Sequence, residues 1–368
     1  MNDMELVADA IRAFENGEMV VVTDDDDREN EGDLIVAAVH ATAEKMAFII
    51  RHTSGIVCTP MTRDEAKRLN LAPMVADNDA PHSTAFTVSV DYKHDTTTGI
   101  SAEERCSTVR ALANPNSGAA DFVRPGHIFP LVAKEGGVLT RSGHTEAAVD
   151  LCVLAGLPPV GVISELVNDD GTVMRGPQVA SFAEANGLKM VSVADLIAYR
   201  QRQESFVERV DQFDIETVAG PAQAFAYSTP WDPMQHLAVV FGDIRGGSDI
   251  VVRLHLESVV DDVFGAHDSL DGILQQVADS GKGIVVYLRD GSIGVAGRSI
   301  RSQRDGGDEE HHETAQQRTS EWLEIGLGAQ ILKDLGVSSI VLLAGQERHY
   351  VGLSGFGLEI SRTEILDG

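Results

Sequence analysis

The chain has 368 residues with 57 acidic and 29 basic side chains, which gives a formal net charge of −28. A hydrophobic share of 43% predicts a sizeable core, while the excess of carboxylates disfavours nucleic acid and anionic membranes as partners. No apolar run reaches the roughly 20 residues that cross a bilayer. Three widely spaced cysteines exclude a disulfide framework, so we expect a cytoplasmic protein. The length of the chain predicts two domains.

The first 200 residues alternate between predicted helices and strands. Apolar spacing predicts a helix over 4–15, and apolar runs predict strands over 18–23 and 33–39 on either side of an acidic loop. The remaining predicted elements are helices at 42–51, 62–70, 101–113, 143–156 and 178–186 and strands at 86–92, 128–133, 137–140 and 159–164. This mixture predicts an α/β fold of the mixed α+β kind.

A domain boundary is predicted near residue 205. Ser192 and Asp195 have the spacing of a helix cap, so a helix is expected from about 193, and the polar run 200–209 is typical of a helical connector. Beyond it, the expected elements are strands at 236–242, 250–256, 283–288 and 339–344 and a helix at 321–335. We therefore expect residues 1–205 and 206–368 to fold as separate domains.

The densest chemical signal is the run TDDDDRENEGD at 23–33, which surrounds Arg28 with carboxylates. Carboxylate oxygens are ligands that Mg²⁺ prefers. An arginine among them suits a substrate that is phosphorylated and also bound to metal. The simpler alternative for such a run is a solvated acidic turn.

Two further segments, RPGH at 124–127 and RSGHT at 141–145, each combine arginine, glycine and histidine. Arginine binds phosphate with two N–H groups, and histidine moves a proton or holds a metal near neutral pH. The second segment precedes an apolar run that should be helical, whose N-terminus would favour a phosphate. For either histidine alone, a structural role is the alternative. Glu165, at the end of a predicted strand, is a candidate acid–base group.

These segments together resemble one enzyme family. DDDDRENEGDLI, HTSGIVC, TTTGIS, RPGHIFPL and RSGHTEAAVDL occur in the order and approximate spacing of 3,4-dihydroxy-2-butanone 4-phosphate synthase, over about residues 4–200. The resemblance implies that ribulose 5-phosphate is converted to 3,4-dihydroxy-2-butanone 4-phosphate and formate in riboflavin biosynthesis. It also implies Mg²⁺ or Mn²⁺ as the cofactor and a homodimer with its sites near the subunit interface.

The resemblance implies a role for each motif residue. Glu29 and His144 are expected to bind the metal, and His127, Glu165 and Asp33 are expected to be catalytic. The expected substrate contacts are Arg28, Glu29, Asp33, Thr98, Arg141, Ser142, Gly143, His144, Thr145 and Glu165. Cys58 is a further candidate, for which a packed thiol is at least as good an interpretation.

Residues after about 207 resemble GTP cyclohydrolase II, through segments such as HLAVVFGDI and IGLGAQILKDLGV. That family binds zinc through three cysteines, whose matching positions here are Ser258, Ser269 and Asp271. No cysteine follows Cys152, so a thiolate zinc site of that type cannot form. We therefore expect this domain to lack zinc and cyclohydrolase activity.

Two alternatives to this interpretation remain. The chain could be truly bifunctional, with a second site built on ligands such as Asp271, His267 and His255. It could also be a non-enzymatic acidic scaffold, which the intact motifs of the first domain disfavour. The acidic, histidine-containing stretch 305–313 is expected to be a solvated loop.

Overall fold

The computed structural model describes residues 3–24, 29–79, 84–94, 96–230, 232–258, 262–263, 270–289, 326–344 and 358–365. The chain divides into two compact units, Met1–Tyr199 and Arg200–Gly368. Residues 200–205, which we predicted in the first domain, therefore fall in the second unit. Within the described ranges, no helix is both long and apolar enough to cross a membrane.

The helices begin close to the residues that the sequence predicts. They are α1 (Asp3–Glu15), α2 (Ala43–His52), α3 (Arg63–Arg68), α4 (Ala102–Leu112), α5 (His144–Leu154), α6 (Pro177–Ala185) and α7 (Val193–Gln203), which spans the division between the units. Side-chain oxygens of Thr42, Thr62 and Ser101 accept the backbone N–H three residues on, at the starts of α2, α3 and α4. At α5, by contrast, the capping residue is Gly143, which has no side chain with which to cap the helix.

The first unit is built on a seven-stranded sheet. Its strands are β1 (Val20–Thr23), β2 (Gly32–Ala37), β3 (Cys58–Met61), β4 (Val90–Tyr92), β5 (Phe122–Val132), β6 (Gly161–Glu165) and β7 (Lys189–Ser192), in the spatial order β4-β5-β3-β6-β2-β1-β7. The acidic loop joins β1 to β2, which are antiparallel neighbours, and β2 in turn pairs antiparallel with β6.

Helices cover both faces of this sheet. Alternate residues of β2, such as Leu34, belong to a core shared with α2, α4 and α6. The residues between them face the other way, toward α5, which contacts β1, β2, β3 and β6. The polar site described below lies on the α5 face, at the end of the sheet where β2 begins and β6 ends.

Three of the predictions for residues 1–209 were wrong. Residues 137–140 are not a strand but a 3₁₀ turn at Gly137–Leu139, because Gly136 and Gly137 have φ values of +87° and +64°. Of 86–92, only the last three residues form a strand, and Phe86 and Thr87 form isolated bridges. The connector 200–209 is helical only to residue 203, and a strand follows from 208.

The second unit is also built on a seven-stranded sheet. Its strands are β8 (Glu208–Thr217), β9 (Gly220–Thr229), β10 (Asp232–Phe241), β11 (Ile250–Leu256), β12 (Gly283–Leu288), β13 (Ser339–Ala344) and β14 (Glu359–Ile365), in the order β14-β13-β11-β12-β10-β9-β8. The described helices between them are α8 (Leu270–Asp279) and a helix at 326–334. The strand β8 escaped prediction because it is an edge strand exposed along most of its length, which leaves no alternation of apolar and polar residues.

Candidate active site

Carboxylates from the acidic loop, β2 and β6 converge at the N-terminus of α5. Asp33 is the cross-strand partner of Glu165, so their side chains lie side by side on one face of the sheet. The ring of His144, the first residue of α5, lies above them. Its Nδ1 is 3.7 Å from Oδ1 of Asp33 and 3.8 Å from Oε2 of Glu29. The structure therefore brings together four residues that the sequence placed in the site.

Asp33 is almost fully buried, and burial raises the pKa of its carboxyl group to about 8. His144 opposes this rise, whereas the charges of Glu165 and Glu29 add to it. Oδ1 of Asp33 makes no hydrogen bond to any residue in the described part of the chain. A carboxyl group that holds its proton up to pH 8 can exchange that proton near neutral pH, as an acid–base catalyst must.

A divalent cation fits beside this pair. Asp24, Glu29 and His144 each offer one ligand atom, and the three atoms lie within 4.8 Å of one another. Two carboxylate oxygens and one imidazole nitrogen are a donor set that divalent metals accept. Glu29 and His144 are the two residues that the resemblance implies as metal ligands. Asp24 was not among the expected ligands, although it lies in the acidic run that we singled out.

Asp24 also shapes the loop. Its two carboxylate oxygens accept the backbone N–H groups of Glu29, at 3.1 Å, and of Glu31, at 2.9 Å. These bonds turn the end of the acidic loop back toward β1, so Glu29 faces the same cluster as Asp24. Burial and then the nearby charge of Glu29 raise the pKa of Glu31 as well. Several carboxylates therefore lie close together here, with little solvent to screen their charges from one another.

Ser54 and Cys58 complete the side of the site that borders Glu165. Ser54 Oγ donates to Glu165 Oε2 at 2.6 Å, and the Ser54 N–H donates to the Glu165 carbonyl oxygen at 2.8 Å. Sequence reasoning missed Ser54, although it lies in the HTSGIVC segment. The Cys58 thiol is buried on the same face, and burial raises its pKa above the usual range, with Glu165 and Asp33 contributing. A neutral, buried thiol favours the packing interpretation over a catalytic one.

Arg141 lies at the start of α5, as expected for a phosphate contact, and its guanidinium is already oriented. Nη1 is 2.6 Å from Oε2 of the buried Glu146, and Nη2 donates to Thr84 Oγ1 at 3.0 Å. An ideal Cβ at Gly143 would lie 2.5 Å from Nη1, so a larger residue there would displace this guanidinium. Ser142, Gly143 and Thr145 lie beside His144 at the helix N-terminus, where the helix dipole favours an anion.

His127 and Thr98 form a second group, apart from the carboxylates. His127 lies on β5 and hydrogen-bonds to Asp91, and Gly99, next to the exposed Thr98, packs against the same Asp91 carboxylate. In the sheet, β3 and β6 lie between β5, which carries His127, and β2, which carries Asp33. Three strand spacings of about 4.8 Å therefore separate these two strands within one chain, by about 14 Å.

Several predicted residues lie outside the described part of the chain. They are Arg28 of the acidic loop, His267 and Ser269 of the second unit, and the acidic stretch 305–313.

Two protein families account for most of the sequence. Residues 8–199 match 3,4-dihydroxy-2-butanone 4-phosphate synthase, and residues 208–364 match GTP cyclohydrolase II. The chain belongs to the 3,4-dihydroxy-2-butanone 4-phosphate synthase family. It is also similar to the bifunctional riboflavin biosynthesis protein RIBA 1, chloroplastic, of Arabidopsis thaliana, with 47% identity over 366 residues, which cover 96% of this chain and 67% of that protein.

Solved structures of 3,4-dihydroxy-2-butanone 4-phosphate synthases are also similar to this chain. RibBX of A. baumannii, a two-domain 3,4-dihydroxy-2-butanone 4-phosphate synthase, matches with a TM-score of 0.83 and 37% identity over 98% of this chain and 99% of that one. A synthase in complex with two magnesium ions matches with a TM-score of 0.52 and 48% identity over 53% of this chain and 96% of that one. The predicted resemblance, the mixed α/β fold in two domains and the synthase activity are confirmed.

Asp33→Asn tests the buried carboxyl group in the metal-free chain. An unfolded aspartate releases its proton near pH 4, whereas folded Asp33 keeps its proton up to about pH 8. Between these values the unfolded chain binds fewer protons, so burying Asp33 costs more stability as the pH rises. The substitution should therefore raise the melting temperature more at pH 8 than at pH 5, as measured by calorimetry with a chelator present.

Asp64→Asn is the matched control, because the Asp64 side chain is 92% exposed. Its effect on the melting temperature should not change between the two pH values. If Asp33→Asn and Asp64→Asn depend on pH in the same way, Asp33 does not carry a raised pKa.

Proposed function

We propose that the first unit converts D-ribulose 5-phosphate to 3,4-dihydroxy-2-butanone 4-phosphate and formate, with Mg²⁺ or Mn²⁺ held by Glu29 and His144 and assisted by Asp24. The observation that carries the proposal is the pairing of buried Asp33 with the partly buried Glu165, beside a group of residues that can hold a metal. The relative of known structure that contains two magnesium ions supports the choice of metal. A bound Mg²⁺ would stabilise negative charge that develops on substrate oxygens.

The reaction needs several proton transfers. The five-carbon ketose phosphate must be enolised, lose water, rearrange its carbon skeleton and release one carbon as formate. In the metal-free chain, burial raises the pKa of Asp33 to about 8. Ser54 donates a 2.6 Å hydrogen bond to the Glu165 carboxylate and so orients it. Two carboxyl groups in such different surroundings suit an exchange of protons with one substrate.

The substrate phosphate is assigned to the start of α5. Arg141 supplies a guanidinium there, and Ser142, Gly143 and Thr145 bring hydroxyl and backbone N–H groups to the same helix terminus. Because His144 belongs to both this helix turn and the metal group, a substrate bound here would have its phosphate and its reacting carbons at adjacent positions. Arg28, Glu29 and Thr98 are proposed as further substrate contacts.

We also propose that the synthase is a homodimer, as the resemblance implies. Ile56 and Ile100 are each 51% exposed, and both lie on loops that border the groups around Glu165 and His127. Apolar side chains exposed near a site are typical of surfaces that another chain covers. Sedimentation equilibrium should give twice the chain mass, and a monomer at micromolar concentration would contradict this.

Glu165→Gln tests the proton-transfer role. The amide keeps the shape of the side chain and its bond from Ser54 but cannot exchange a proton as a carboxylate does. Formate release from ribulose 5-phosphate should fall by about 10²- to 10⁴-fold, with an unchanged melting temperature. Glu184→Gln, on the exposed face of α6, is the control and should keep parental turnover. Near-parental turnover in Glu165→Gln would exclude the proposed role.

For the second unit, we propose that it holds no zinc and does not open the ring of GTP. The position that matches the first zinc cysteine is Ser258, whose backbone N–H donates to Asp262 Oδ2 at 3.0 Å. The same carboxylate accepts Tyr287 OH at 2.7 Å and lies 2.8 Å from His255 Nε2. A histidine held by a carboxylate and stacked on Tyr287, with ring centroids 5.4 Å apart, supports a structural role.

The alternative is GTP cyclohydrolase II activity through ligands other than cysteine. The name of the bifunctional relative favours it. It would require His255 to leave Asp262, and it would recruit Asp271, which lies in the first turn of α8. We prefer the proposal without zinc, because the Asp262 carboxylate already contacts Ser258, Tyr287 and His255. Breaking the pair of His255 and Asp262 would leave polar groups without hydrogen bonds.

The full chain should release neither formate nor pyrophosphate from GTP when Zn²⁺ is added. The same preparation, supplied with ribulose 5-phosphate and Mg²⁺, provides the positive control. Each substrate must be tested alone, since both reactions produce formate. Zinc-dependent release of pyrophosphate would establish the alternative.

A further inference from the structure

Asp91, on β4, holds His127 at two points. Its Oδ1 accepts the backbone N–H of His127 at 2.8 Å, and its Oδ2 lies 2.7 Å from the ring Nδ1. The carboxylate is 7% exposed, whereas the His127 side chain is 42% exposed. The buried aspartate therefore fixes one edge of a ring whose other edge remains accessible to a ligand.

This arrangement determines where the ring proton is. A carboxylate accepts a hydrogen bond from Nδ1–H, so in neutral His127 the proton resides on Nδ1 and the lone pair on Nε2. The second bond, from the backbone of the same residue, prevents the carboxylate from rotating with the ring. His127 thus presents Nε2 as a proton acceptor in one orientation.

Asp91 is held in place by two further groups. Gly99 has a φ of +80°, and an ideal Cβ there would lie 2.1 Å from Asp91 Oδ2, so the turn that carries Thr98 packs directly on the carboxylate. Arg105, on α4, is 7% exposed and is attracted to Asp91. An opposite charge nearby offsets part of the cost of burying a carboxylate.

Arg105 also reaches the other half of the site. Its Nη1 donates to the Gly55 carbonyl oxygen at 3.0 Å. Gly55 directly follows Ser54, which donates to the Glu165 carboxylate. One buried guanidinium therefore contacts the loop that orients Glu165 and lies near the carboxylate that orients His127.

We propose that Asp91 is a positioning residue, which fixes the Nδ1–H tautomer and the orientation of His127, and that Gly99 and Arg105 hold it in place. The inference rests on the proposed function, because the tautomer affects turnover only if His127 takes part in the reaction. Nothing in the sequence motifs pointed to Asp91, which lies 36 positions before His127.

The test is a double-mutant cycle in the full chain with Asp91→Asn and His127→Ala. Asp91→Asn should lower kcat about 10- to 100-fold and leave KM nearly unchanged, because it misdirects the ring without removing a substrate contact. In the His127→Ala background the same substitution should have no further effect on kcat. Asp91→Glu, which keeps the charge, should restore part of the loss.

A spectroscopic measurement separates positioning from a general loss of structure. With ¹⁵N-labelled histidine, the His127 signals are those missing from the spectrum of His127→Ala, among the 12 histidines of the chain. They should report an Nδ1–H tautomer in the parent and in Asp91→Glu and a shift toward Nε2–H in Asp91→Asn. Arg105→Lys should move the same signals in the same direction by a smaller amount.

Asp121→Asn is the matched control. Asp121 also pairs with a histidine, His94, at 3.1 Å, but this pair is more exposed and belongs to neither group of the site. It should leave kcat and the His127 signals unchanged. If His127→Ala lowers kcat and Asp91→Asn does not, or if their effects multiply, the positioning role is overturned while the synthase mechanism stands. If His127→Ala keeps parental turnover, the catalytic assignment of His127 and this inference fail together.

Discussion

Concentrated negative charge in a place with little solvent is the constraint on which the first unit depends. The pairing of β2 with β6 forces Asp33 against Glu165, and the bonds to Asp24 bring Glu29 into the same volume. Carboxylates this close cannot all be ionised without a cation or a proton among them. Burial, and then the charges of Glu165 and Glu29, raise the pKa of Asp33, while the nearby His144 ring opposes this rise. The same requirement makes the cluster receptive to a divalent metal.

The sheet and α5 impose this arrangement on groups that would otherwise separate. The β1–β2 hairpin places both ends of the acidic loop at one end of the sheet, close to the N-terminus of α5, so the residues proposed for the metal and for the phosphate meet at a single helix turn. Hydrogen bonds connect this cluster to α4, from Glu165 through Ser54 and Gly55 to Arg105. These bonds orient the polar groups of the cluster, which suits chemistry that depends on the placement of protons.

The motifs predicted most of the residues that the structure brings together, because they carry unusual combinations of residues. ENEGD, RSGHT and the glutamate after an apolar strand contain Glu29, His144, Asp33 and Glu165, which lie in one cluster. The neighbours Asp24, Ser54 and Asp91 were not predicted: Asp24 is one of four consecutive aspartates, Ser54 is an ordinary hydroxyl, and Asp91 is far from its histidine in the chain. The separation of His127 from Asp33 depends on strand order, which periodicity does not reveal. Likewise, β8 was missed because exposed edge strands have no buried face to mark them.

A crystal structure of the full chain grown with Mn²⁺ would show whether the carboxylate and imidazole cluster binds a divalent cation. Anomalous scattering would locate the ion without reference to activity. We expect a manganese peak about 2.0–2.6 Å from a carboxylate oxygen of Glu29 and a ring nitrogen of His144, with Asp24 bound to the ion directly or through water. Full occupancy at other residues, with this cluster empty at saturating Mn²⁺, would contradict this expectation.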